Sequence, residues 1–138
     1  MAASRGGAEA GGGRDGRLVL VVEDQEDLRL LCRVNLEFAG FRVAEAGDAA
    51  AAMVAAAAER PQALVLDLGL PDMDGWDLLE RLCRDFEVRP PSVVVVTGRA
   101  PGPERRRAQS VGVAALLPKP YAPGILVDIV SSAAAGAV

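Results

Sequence analysis

Ala63-Leu64-Val65-Leu66-Asp67-Leu68-Gly69-Leu70-Pro71-Asp72-Met73-Asp74-Gly75 is the stretch whose reading decides the fold. Four apolar residues run into an acid, and a turn rich in Asp, Pro and Gly follows. An uninterrupted apolar run marks a strand buried on both faces, as in a parallel sheet, and such sheets bind ligands beyond the carboxyl ends of their strands. A carboxylate at that point is placed for chemistry rather than for packing. Three more runs end in the same way. Leu18-Val19-Leu20-Val21-Val22 leads into Glu23-Asp24, Val93-Val94-Val95-Val96 into Thr97-Gly98, and Val113-Ala114-Ala115-Leu116-Leu117 into Pro118-Lys119-Pro120. If these strands are parallel neighbours, three carboxylates, one hydroxyl and one ammonium converge on a single edge.

The chain has 138 residues, 51% hydrophobic and 25% charged, which suits one domain with one core. No apolar stretch approaches the ~20 residues of a membrane span, and the Gly/Ala/Arg-rich start has no signal-peptide core, so a cytoplasmic location is expected. A net charge of -4 argues against non-specific nucleic-acid binding. The absence of histidine removes Ser-His and Cys-His nucleophile schemes and histidine metal sites. Hard oxygen chemistry remains, and it suits Mg²⁺. Cys32 and Cys83 form no CxxC pair and read as reduced core thiols. Of fifteen Lys+Arg residues only Lys119 is a lysine. A site that needs one compact cation resists replacement by the broad guanidinium fork.

Residues 1–16 lack periodicity and read as a disordered tail. Helical spacing follows over 26–39, with Leu28, Leu31, Cys32 and Phe38 on a stripe that Leu30 and Val34 widen, and Gly40 stops it. Residues 41–45 alternate as an edge strand. Asp48 caps an alanine-rich helix to about residue 60. A helix with Trp76, Leu78, Leu79 and Leu82 is expected from 75 to about 85, a short one from about 104 to 111, and a last one from about 123 to 134. Strand–helix alternation five times over predicts an α/β fold, a doubly wound parallel sheet with helices on both faces. Asp72 and Asp74 read as turn formers and caps, Gly75 as part of the backbone turn, and Trp76 and Tyr121 as packing aromatics. Glu26 and Asp27 suit a helix N-terminus, and Arg105-Arg106-Arg107 reads as a solvated helix face.

Glu23, Asp24 and Asp67 carry -3 if all ionise, and crowding drives at least one pKa up unless cations compensate. Lys119 supplies +1 and Mg²⁺ would supply +2. Mg²⁺ keeps several waters, so one or two carboxylates and a carbonyl suffice, and its open positions suit a phosphoryl group. Phosphoryl transfer needs chiefly positioning and neutralisation of charge. Aspartate can act as the nucleophile and form an acyl phosphate. The Thr97 hydroxyl and the Gly98 N–H can donate to phosphoryl oxygens.

Over residues 17–135 the chain resembles the receiver domain of two-component response regulators, of the single-domain, stand-alone type. The resemblance lies in Glu23-Asp24, in Asp67 with Leu70-Pro71-Asp72-Met73-Asp74-Gly75, in Thr97-Gly98 and in Lys119-Pro120, in that order and each at a strand end. It implies a flavodoxin-like five-stranded sheet of order 2-1-3-4-5, Asp67 as phosphoacceptor, and Thr97 and Lys119 as phosphoryl contacts. It implies Mg²⁺ held by Asp24, Asp67 and the backbone carbonyl of Gly69, with Glu23 assisting, and a cis peptide at Lys119-Pro120. The implied partners are a sensor histidine kinase or histidine phosphotransfer protein and a downstream protein. A homodimer through the fourth helix, last strand and last helix is possible on the same grounds. Glu23 stands where the family more often has Asp, and its extra methylene lets it reach a metal directly. Leu116 stands where the family usually has a Tyr or Phe that swings inward on phosphorylation. The expected activity is a phosphoacceptor switch rather than an enzyme acting on other substrates. Leu116 motivates an alternative, a receiver-like interaction module independent of phosphate. A third reading, an aspartate-nucleophile phosphatase, needs an acid where Gly69 stands. Residues 136–138 read as a tail, and no DNA-binding output domain is expected after Lys119.

Overall fold

The computed structural model describes residues 16–99 and 101–136. The elements alternate strictly: β1 (Leu18–Val22), α1 (Glu26–Phe38), β2 (Arg42–Ala46), α2 (Ala49–Glu59), β3 (Ala63–Asp67), α3 (Gly75–Phe86), β4 (Val93–Thr97), α4 (Pro101–Val111), β5 (Ala115–Pro118) and α5 (Pro123–Gly136), with a 3₁₀ turn at Pro90–Ser92 before β4. The five strands form one sheet in the order β2-β1-β3-β4-β5, and every pairing is parallel. Apart from Gly16 and Gly136, the two expected tails lie outside the described residues.

The continuous apolar strands follow from two cores. Leu20, Val22, Leu64, Leu66, Val93 and Val95 pack with Ala52 and Ala56 of α2 and with Leu78, Leu79 and Leu82 of α3. Their sequence neighbours Val19, Val21, Val65, Val94 and Val96 pack on the other face with Cys32 and Leu36 of α1 and with Leu126 and Val130 of α5. Side chains alternate across the sheet, so a strand covered by helices on both faces is apolar at every position. Register does the rest: Val22 pairs with Ala46 and Leu66, Asp67 with Val96, and Thr97 with Pro118. The strand ends and the loops beyond them therefore meet along one edge.

Several expectations change. In α1 only Cys32 and Leu36 are buried, whereas Leu30, Leu31 and Val34 are exposed and Phe38 is 95% exposed. The apolar stripe is wider than the face the sheet can cover. Helix α4 begins at Pro101, three residues before the expected start. Proline lacks only a donor that a helix's first turn leaves unpaired anyway, so a Pro-rich segment opens this helix instead of preceding it. The β5 strand runs 115–118 rather than 113–117, because Gly112 ends α4 at φ 89° and Val113 N still donates to Ala108 O. The Lys119-Pro120 peptide is cis. No described helix is long and apolar enough to cross a membrane.

Candidate functional site

Asp67 closes β3 and is only 4% exposed, and Glu23 follows β1 at 2%. A buried carboxylate must be paired or hydrogen-bonded. Asp67 Oδ1 accepts from the Gly69 N–H at 3.0 Å, and Oδ2 lies 3.2 Å from Lys119 Nζ. Glu23 Oε2 accepts from the Gln25 N–H at 3.1 Å, and Oε1 forms an ion pair with Lys119 Nζ at 2.8 Å. The Glu23 main chain is pinned as well. Its N–H donates to Ala46 O at 3.0 Å, and its carbonyl accepts from Arg29 Nη1 at 2.7 Å. Glu45 in turn holds Arg29 and Arg33, each at 3.2 Å.

Glu23, the exposed Asp24 and Asp67 bring carboxylate oxygens within 4.8 Å of one another. With Lys119 at +1, the formal charge of the four is -3 + 1 = -2. Burial pushes the Glu23 carboxyl above its ordinary pKa, the Lys119 and Gln25 contacts oppose this, and the Asp67 charge adds to it. Burial alone would lower the Lys119 ammonium, but its hydrogen bond to Glu23 and the charge of Asp67 lift it above the lysine range. The residues fit a divalent cation. Glu23 Oε1 is buried and has no aligned hydrogen bond beyond its ion pair, so it has acceptor capacity left for a cation. Hard oxygen donors of this kind are those Mg²⁺ takes.

Thr97 ends β4 and is buried. Its carbonyl accepts from the Lys119 N–H at 2.8 Å, which ties two of the strand-end segments together. Its hydroxyl accepts from the Arg99 N–H at 2.9 Å. A Cβ added at Gly98 meets nothing within 4 Å, and one at Gly69 would stand 3.8 Å from Asp67 Oδ1. A side chain is thus sterically free at Gly98, and one at Gly69 would touch the Asp67 carboxylate. The structure gathers Glu23, Asp24 and Asp67 into one cluster, sets Lys119 against Glu23 and Asp67, and places Thr97, Gly98 and Gly69 on the same edge.

The neighbouring acids are caps. Asp74 Oδ2 accepts from the Trp76 N–H at 2.9 Å, and Asp72 reaches across to the N–H groups of Ala49 and Ala50 at 2.8 and 3.1 Å. Trp76 is buried, and the Tyr121 hydroxyl lies 3.0 Å from Cys32 Sγ. Burial first, then the contact with Cys32, raises the Tyr121 pKa, so the phenol stays protonated. Sequence reading overlooked Arg29, Arg99 and Glu104. An arginine two residues after Thr97 was the one visible sign, and its partners lie 25 and 31 residues away in the chain.

Fold and edge together define a doubly wound α/β protein with an acidic cluster and a lysine at the carboxyl ends of a parallel sheet. The chain belongs to the response regulator receiver domain family, whose model matches residues 19–131. It is 36% identical over 104 residues to the transcriptional regulatory protein KdpE of Mycobacterium tuberculosis strain H37Rv, covering 75% of this chain and 45% of that protein. Identity is also 36% over 108 residues to the KDP operon transcriptional regulatory protein KdpE of Escherichia coli K12, with 78% and 47% covered. The chain thus spans less than half the length of these relatives. Among solved structures, a CheY-like receiver domain protein from Methanospirillum hungatei JF-1 superposes with a TM-score of 0.79 at 26% identity, covering 89% of this chain and 97% of that one. A sensor protein from Polaromonas sp. JS666 gives 0.79 at 31%, with 88% and 98% covered.

Proposed function

We propose that Asp67 is a phosphoacceptor that takes its phosphoryl group from a phosphohistidine of a partner, a sensor histidine kinase or a histidine phosphotransfer protein, in a Mg²⁺-dependent reaction. The observation that carries this is the contact of one ammonium, Lys119 Nζ, with both Glu23 and Asp67 at 2.8 and 3.2 Å inside the carboxylate cluster. A carboxylate oxygen of Asp67 attacks phosphorus, an O–P bond forms, and the P–N bond to the donor imidazole breaks. The imidazole keeps the bonding pair and takes up a proton from solvent. Lys119 meets the charge gathering on the phosphoryl oxygens, and the Thr97 hydroxyl and Gly98 N–H donate to them. Glu23, Asp24, Asp67 and the Gly69 carbonyl would hold Mg²⁺, which when bound neutralises phosphoryl charge as a Lewis acid.

The donor comes from outside, because the chain has no histidine. It must approach the edge where α1 begins, next to Glu23-Asp24, and α1 offers Leu30, Leu31, Val34 and Phe38 to solvent. An apolar helix face beside the acceptor suits a helical donor protein. The modified site then changes the face made by α4, β5 and α5 toward a downstream protein or a second copy, in the cytoplasm. The domain covers residues 17–135, and α5 carries it one residue further, to Gly136. Incubation with acetyl phosphate and Mg²⁺ tests the core of this reading. A Mg²⁺-dependent phosphate adduct that maps to Asp67 and vanishes in Asp67→Asn is expected. Identical behaviour of wild type and Asp67→Asn would reject it.

A further inference from the structure

The loops after β3 and β4 are tied together by a closed ring of hydrogen bonds. Arg99 is its centre. Nη2 donates to Asp74 Oδ1 at 2.6 Å and to the Leu68 carbonyl at 3.0 Å, while Nη1 donates to Glu104 Oε2 at 3.2 Å. Glu104 Oε1 accepts from the Trp76 indole N–H at 2.6 Å. Asp74 closes the ring, because its other oxygen accepts from the Trp76 backbone N–H. Arg107, three residues beyond Glu104 on α4, lies over the Trp76 ring at 5.5 Å from its centroid. A planar fork with several fixed donors can serve a carbonyl and two carboxylates at once, as a lysine cannot.

The ring sits where the site needs rigidity. Leu68 directly follows Asp67, so the guanidinium grips the acceptor loop. The main-chain N–H of the same arginine donates to Thr97 Oγ1 at 2.9 Å. A hydroxyl has two lone pairs and one proton. With a lone pair occupied by Arg99, the proton remains free to be donated and its direction is restricted. Donors fixed in advance bind an oxyanion without reorganising.

We propose that Arg99 is a positioning residue that holds the Thr97 hydroxyl in place relative to Asp67, and that α4 senses occupancy of the acceptor through the Arg99–Glu104–Trp76 ring. This rests on the reading of Asp67 as phosphoacceptor. The coupling is reciprocal: a ring that strengthens phosphoryl binding by some factor is itself strengthened by the same factor when the group is bound.

The metal-binding acids lie outside the ring, so the test separates cation from phosphoryl affinity. Calorimetry with Mg²⁺ alone should give the same affinity for wild type and Arg99→Ala. Fluorine NMR of beryllofluoride, a phosphoryl mimic, at saturating Mg²⁺ should show binding weakened about tenfold in Arg99→Ala, within the usual range for coupled sites. Arg99→Lys should restore part of it. Trp76 is the sole tryptophan, so its emission reports the ring. It should shift on loading in wild type and not in Glu104→Ala. Equal beryllofluoride affinity in Arg99→Ala overturns the proposal. So does a parallel loss of Mg²⁺ and beryllofluoride affinity, which would mean general damage. Unchanged Trp76 emission at a loaded site overturns the link to α4. A wild type that shows no bound beryllofluoride signal overturns the phosphoacceptor reading and Arg99's role with it, and the fluorine signal tells that failure from the others.

Discussion

A Cβ built on Gly75 would lie 2.5 Å from the Leu68 Cα and 2.9 Å from the Asp67 carbonyl oxygen. This glycine is required by the close approach of α3 to the backbone of Asp67 and Leu68. It has no positive φ, so the turn conformation expected from sequence is not the reason. Gly75→Ala forces backbone to move, and overpacking of this kind costs about 1–3 kcal/mol. Urea denaturation should show that loss, and acetyl-phosphate labelling of Asp67 should slow with it. An unchanged midpoint together with an unchanged labelling rate would contradict the packing argument. Lys119 was legible as the odd lysine among arginines, and its place between Glu23 and Asp67 gives the reason. A compact ammonium suits a position between two carboxylates better than the broad planar fork of a guanidinium. Arg99 was not legible, because nothing in its neighbours specifies partners on another loop.

Helix α2 shows the same division at the next scale. Its eleven residues are mostly alanine, so propensity alone predicts a helix there. Its start is secured by two acids, of which only one is local. Asp48 accepts from the Ala51 N–H at 2.8 Å, as the sequence led one to expect. Asp72, from the loop after β3, takes the N–H groups of Ala49 and Ala50. The Ala49 N–H is the main cause that holds the Asp72 carboxyl below the ordinary aspartate range, with the Ala50 N–H adding to it. A depressed carboxyl stabilises the fold above its unfolded pKa, ~3.9. That stability is lost as pH falls through the folded value. Asp72→Asn should therefore flatten the acid limb of the stability–pH curve below about pH 4, measured by urea titrations between pH 5 and 2. Equal slopes for variant and wild type would refute the cross-loop cap. The early start of α4 belongs here too: Pro and Gly read as loop residues, yet the first helical turn accepts both.

Across the whole molecule, the sheet covers one side of each helix and leaves the other side to solvent. In α1 the covered side is narrow, so Leu31, Val34 and Phe38 remain outside. A donor protein that docks there would depend on them, while acetyl phosphate would not. The triple variant Leu31→Ser, Val34→Ser, Phe38→Ser should keep its labelling rate with acetyl phosphate and its melting temperature. Its phosphorylation by a cognate phosphohistidine protein should fall by at least about tenfold, the loss expected when a few central apolar contacts go. Equal losses with both donors would place the defect in the acceptor site and remove α1 from partner recognition.

The alternation of strands and helices, the two-sided burial of β1, β3 and β4 and the acids that follow β1 and close β3 were all determined by the sequence itself. Each depends on residues next to one another in the chain and on the twofold period of a strand. The register that draws the strand-end residues to one edge was implied only through the order of the motifs, and the sheet carries it out. Tertiary structure alone decided which face of α1 is covered, that Asp72 caps a helix from another loop, and that Arg99 joins Asp74, Leu68 and Glu104. Those contacts form between segments far apart in the chain. Their energies depend on distances that local pattern does not encode.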